Sequence, residues 1–90
     1  MKFSDLQFNT HPTGNGIAAR QFFDNGYGLS VVRFRGSYGY KDGLYEAAVL
    51  KGTEDDYELC YDTFITDDVI GRLTEPEVEV LLSQVENLAI

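Results

Sequence analysis

Ninety residues, fifteen acidic and seven basic, give a chain of net charge −8 in which 43% of positions are hydrophobic. That is apolar material for one core and a single domain over residues 1–90, which excludes wholesale disorder, and no apolar run nears the roughly 20 residues of a membrane span. The single cysteine, Cys60, excludes an internal disulfide framework and fits a reducing cytoplasm, and the opening MKFSDLQFNT has no apolar region of a secretory signal.

In chain order, Lys2–Phe8 reads as a strand of imperfect alternation, with Phe3, Leu6 and Phe8 apolar. THPTGNG (10–16) is a turn, broken by Pro12, Gly14 and Gly16. The runs GIAARQFF and YGLSVVRF flank DNG and predict a hairpin. Asn25-Gly26 is the favoured pair for a type I′ turn, with positive φ at both residues. In the second arm Leu29, Val31 and Arg33 share one face, and Ser30, Val32 and Phe34 the other. LYEAAVL (Leu44–Leu50) predicts a third strand and YELCY (Tyr57–Tyr61) a fourth, joined through KGTEDD (51–56) as a second hairpin. In the fourth, Tyr57, Leu59 and Tyr61 alternate with Glu58, Cys60 and Asp62, which implies one covered and one wet face. A short helical turn over DVIGRL is expected next, capped by Thr66 or Asp67 and ended by Gly71.

The period then changes. Val78, Leu81, Leu82, Val85, Leu88 and Ala89 form one helical stripe, introduced by a Thr74-x-x-Glu77 capping box with Pro76 in the first turn. The expected architecture is α+β: a three- to four-stranded antiparallel meander with a C-terminal amphipathic helix on one face.

Little in this chain points to chemistry. The lone histidine, His11, sits in a turn and Cys60 in a strand, so a nucleophile–base pair is not expected. EDDYELCYDTFITDD is acid-rich but lacks the spacing and the glycine of a calcium loop, so no metal site is expected. GSYGYKDG (36–43) lacks the Gly-Lys-Ser/Thr ending of a phosphate loop and precedes a strand rather than a helix. RGSYGY is similar to the aromatic strand of RNA-binding sheets, but Ser37 breaks the spacing. No catalytic residue, cofactor or enzyme is expected. The tyrosines of this loop, Tyr38 and Tyr40, with Arg35 and Lys41, either fold back onto the sheet or face a protein partner.

FDNGYGLSVVR, GLYEAAVL and ELCYDTFITDDVIGRLTEPEVEVLLSQVENL together resemble a family of small acidic proteins encoded by tailed bacteriophages, over residues 1–88. The specific stretches are 24–28, 59–62 and 66–68. The resemblance carries over no catalytic residue. It implies a cytoplasmic protein of the infected host cell that binds and modulates or inhibits a host protein. The charge distribution fits this: residues 1–53 hold six basic and four acidic groups, residues 54–90 one basic and eleven acidic. Such an acidic half opposes nucleic acid and anionic membranes and favours basic protein surfaces. Glu54, Asp55, Asp56, Glu75, Glu79 and Glu86 are the expected charged contacts, with the 36–43 loop as anchor. The alternative is a self-assembling accessory protein, a homodimer through an exposed strand edge or through Val80 and Ile90.

Overall fold

The computed structural model describes residues 1–60, 63, 65 and 69–88. Its centre is an antiparallel sheet, larger than the sequence suggested: β1 (Asn9–Thr10), β2 (Gly16–Phe22), β3 (Tyr27–Phe34), β4 (Tyr45–Thr53) and β5 (Asp56–Leu59) follow one another as a meander. β6 (Ile70–Leu73) shares the outer edge of β4 with β5. β5 takes Leu50–Thr53 and β6 takes Tyr45–Ala47. The helix α1 (Glu75–Glu86) covers one face.

The covered face follows from alternation. Ala19, Leu29, Val31, Ala47 and Val49 point to the helix, and Val78, Leu81, Leu82 and Val85 meet them. The opposite face carries Arg20, Phe22, Leu50, Tyr57 and Leu59. There the Phe22 and Tyr57 rings lie 5.3 Å apart, with the Arg20 guanidinium 5.2 Å from the Tyr57 ring.

Four local expectations are corrected. Lys2–Phe8 is not a strand: Phe3–Asp5 forms a 3-10 turn, and only Asn9–Thr10 pairs with β2. The reason is that Phe3 and Phe8 close the end of the core. They cluster with Tyr45 at ring separations of 5.1 and 5.9 Å, while the Phe3 N–H donates to Glu79 Oε1 at 2.7 Å.

The second correction concerns the hairpin turn. Among the described residues Arg72 alone combines a side chain with positive φ, so Asn25 is not left-handed and the turn is not type I′. Instead Gly26 N–H donates to Phe23 O, Gly26 takes φ 84°, and Phe23 N–H donates to Tyr27 O. That is a three-residue loop with its left-handed position at glycine. The geometry frees the Asn25 side chain for a long-range task. Its Nδ2 donates to the carbonyls of Val85, Glu86 and Leu88 at 2.9–3.1 Å, while its Oδ1 accepts from Tyr27 N–H. These carbonyls lie at and just past the end of α1, where the helix runs out of backbone donors and, among the described residues, only Val85 O keeps one, from Leu88 N–H.

Third, β5 has no covered face: all four of its residues are exposed, and burial begins only past its end, at Cys60, the small buried hydrophobe the sequence suggests. Cys60 N–H donates to Val49 O and its side chain is buried under the helix, whereas Tyr57 and Leu59 are 39% and 50% exposed. Alternation by itself does not say whether a layer covers either face. Tyr61 and Asp62 lie outside the described residues. Fourth, Ile70–Leu73 is a strand and not the end of a helical turn. Its proposed caps, Thr66 and Asp67, lie outside the described residues.

α1 starts as expected. Thr74 Oγ1 accepts from Glu77 N–H, and Glu77 Oε1 accepts from the Thr74 N–H and hydroxyl. These donors, the backbone one first, hold the Glu77 carboxyl below its usual value.

Two measurements test these anchors. Asn25→Ala should lower the urea unfolding midpoint by an amount equivalent to about 0.5–1.5 kcal/mol, the net worth of hydrogen bonds to half-exposed acceptors. Asn25→Asp, which keeps the contact to Tyr27 but turns a carboxylate toward three carbonyls, should be no better. Because the Glu77 folded value is lowered, its contribution to stability is complete above the ordinary 4.5 and disappears as pH falls through the folded value. Glu77→Gln should therefore lose less stability than the parent on acidification across that range, read by urea titration at each pH.

Candidate functional site

The segment Phe34–Leu44 folds onto itself before it reaches β4. Ser37 is buried, with its Oγ donating to Phe34 O at 2.7 Å and accepting from Phe34 N–H at 3.0 Å. Tyr40–Asp42 forms a 3-10 turn between Gly39 and Gly43, both left-handed. The loop then docks on β6. A Cβ on Gly39 would stand 2.8 Å from Leu44 Cβ and 3.1 Å from Arg72 Cα, and one on Gly71 would stand 2.6 Å from Tyr38 Cβ. Glycine at both positions lets the two backbones approach.

The two tyrosines divide the roles the sequence left open. Tyr40 is half-buried, with the Arg33 guanidinium 5.7 Å from its ring centre. Tyr38 is rooted against Gly71, yet 62% of it is exposed.

A hollow of about 350 Å³ opens between loop and strand, lined by Arg35, Tyr38, Tyr40, Lys41, Asp42 and Arg72 among others. Thus Arg35, Tyr38, Tyr40 and Lys41 are brought together, and Arg72 joins them. Sequence reasoning missed Arg72 as a site residue. Its signal was being the lone base of residues 54–90, but with DVIGRL read as helical it had no reason to face the loop.

The placement of Arg72 is specific. Tyr45 pairs with Leu73 and Ala47 with Ile70, so one residue of β4, Glu46, faces two of β6, Gly71 and Arg72. This is a β-bulge, a device that re-aims a side chain. Arg72 takes φ 58° within it. Left-handed backbone costs a non-glycine residue roughly 1–3 kcal/mol, and such strain concentrates at functional positions. Among the described residues no carboxylate lies within 4.0 Å of a nitrogen of Arg35, Lys41 or Arg72.

The acidic candidates lie elsewhere and in separate places. Glu54 and Asp55 form the tip of the β4–β5 hairpin, with Asp56 opening β5. β4 is nine residues long, so this tip stands about 30 Å along the strand from the loop hollow. Glu75 is exposed in the first turn of α1. Glu79 is half-buried and holds Phe3, and Glu86 stands 3.8 Å from the N-terminal amine. His11 stacks on Phe34 at 4.1 Å, away from Cys60 beneath the helix. Among the described residues no three of His, Cys, Asp and Glu converge as metal ligands, and no helix is long and apolar enough to cross a membrane.

Comparison with protein-family models, with curated proteins and with solved structures returned no match.

Gly39→Ala should undock the loop. It places a side chain at φ 84° and against Leu44 and Arg72, so a loss of about 1–3 kcal/mol is expected in thermal or urea unfolding. Amide exchange should quicken first at Tyr40 and Leu44, whose N–H groups bond within the loop.

Proposed function

We propose that this chain is a non-enzymatic binding protein that docks on a basic surface of another protein, modulating or inhibiting it. In the setting its phage resemblance implies, that partner is a protein of the infected host. The observation that carries the reading is β5. All four of its residues are exposed, and among the described residues no strand pairs with its outer edge. Tyr57 and Leu59 stand beside that edge on the face away from the helix, in a stretch that also holds Glu54, Asp55, Asp56 and Glu58.

An open strand edge is a template for an added strand, and tyrosine is a frequent interface anchor. The four carboxylates choose the partner. They repel the same edge of another copy and attract a basic strand or groove, with association steered by the field. The acids of α1 are less available for this, since Glu77 and Glu79 already serve the helix cap and the N-terminal turn.

The alternative reading, a homodimer, is favoured by one feature on the helix side. Val80 is 58% exposed and borders an apolar hollow with Ile70, Leu73 and Leu81. Ile90 lies outside the described residues.

The test is capture of partners from bacterial lysate by the tagged protein at low and moderate salt, followed by binding of the purified partner. Glu54→Lys/Asp55→Lys/Asp56→Lys should weaken that binding at least about tenfold, and added salt should do the same. Glu75→Lys/Glu86→Lys should change it little. A partner indifferent to the hairpin reversal would sink the edge-strand reading. A salt-insensitive dimer abolished by Val80→Glu, with no partner captured, would establish the alternative.

A further inference from the structure

We propose that the hollow between the 35–43 loop and β6 is a binding site for a small phosphate-bearing molecule of the nucleoside monophosphate class. The site is independent of the acidic hairpin and lies at the other end of β4.

Three cations line the hollow, two from the loop and one from the strand. Arg35 leads into the loop, Lys41 lies in its 3-10 turn, and Arg72 is delivered by the bulge in β6. In a chain of net charge −8, these three bases outnumber Asp42, the one acid of the lining, and among the described residues none of them is in an ion pair. Arginine's planar fork matches phosphate oxygens, and lysine adds a point charge. The strained conformation of Arg72 holds its side chain at the hollow, where a glycine would have been easier to accommodate.

The remaining lining narrows the ligand. Tyr38 is fixed at its root by Gly71 and leaves most of its ring in solvent, a platform for a planar ring. Asp42 lines the same hollow, and its exposed carboxylate can accept from a sugar hydroxyl. A volume of about 350 Å³ suits one small molecule. A polymer is disfavoured because a chain of net charge −8 repels its further phosphates. Local attraction with distant repulsion selects a short anion over a long one.

The experiment is amide NMR titration of the full chain with adenosine monophosphate, a ribose phosphate, inorganic phosphate and a short single-stranded oligonucleotide. Adenosine monophosphate should shift the amides of Gly36, Gly39, Lys41 and Arg72 saturably at millimolar concentration. The ribose phosphate should shift the same amides at least about fivefold more weakly, and Tyr38→Ala should erase that difference, as loss of base stacking requires. Lys41→Gln should weaken both ligands. Arg72→Gly should weaken them while leaving the melting temperature unchanged or higher, because glycine relieves the left-handed strain; this separates lost binding from lost fold. No saturable shift with either organic phosphate would overturn the proposal. So would shifts spread over Arg20 and Lys51 as well, or stronger binding of the oligonucleotide than of the nucleotide at equal phosphate concentration. Inorganic phosphate alone matching the nucleotide would also overturn it, as the mark of an adventitious ion.

Discussion

Burial of Val78, Leu81, Leu82 and Val85 against Leu29, Val31, Ala47 and Val49 is the contact on which the rest of the structure depends. Each such side chain contributes roughly 1.5–3 kcal/mol when removed from water, and a domain of this size has few others to draw on. One twelve-residue helix must therefore stay in register over the sheet, and it is held at both ends. Glu79 binds the backbone of Phe3 near the start, and Asn25 gathers three carbonyls at the finish. The hairpin turn does double duty. It reverses the chain, and its asparagine supplies the donors the helix lacks.

A single helix covers a single face. The opposite face protects Leu50 by leaning Phe22 and Tyr57 together, while the polar rims stay wet. What is left for interaction is the perimeter, and β4 organises it. Its outer edge is long enough for two short strands, so β5 and β6 lie end to end along it. The first carries carboxylates and exposed apolar groups, and the second carries Arg72 toward the loop. Charge opposition in the sequence thereby becomes charge separation in space, with an acidic hairpin at one end of β4 and a basic hollow at the other.

The candidate site was half legible. Arg35, Tyr38, Tyr40 and Lys41 stand within seven residues, so chain connectivity alone kept them near one another. That one tyrosine would fold under Arg33 and the other stand free depends on how Gly39 and Gly71 let two backbones meet, a contact across more than thirty residues. The acidic candidates were grouped by composition, yet the fold assigns Glu79 to an internal bond and scatters the rest. Net charge says nothing about which carboxylates are already engaged.

By itself the sequence determined the elements whose information is local: the Thr74–Glu77 cap, the stripe of α1, the two arms of the first hairpin, and the α+β class. These rest on hydrogen bonds and periodicities within a few residues, which any window of the chain contains. Tertiary structure alone decided that β5 stays exposed on both faces while Cys60 turns inward, that Phe3 and Phe8 plug the core instead of extending the sheet, and that Ile70–Leu73 pairs with β4. It also decided the bulge that turns Arg72 into the loop. Each of these is a choice between arrangements that are locally equivalent. They are separated only by the apolar area buried and the backbone groups satisfied once distant segments meet.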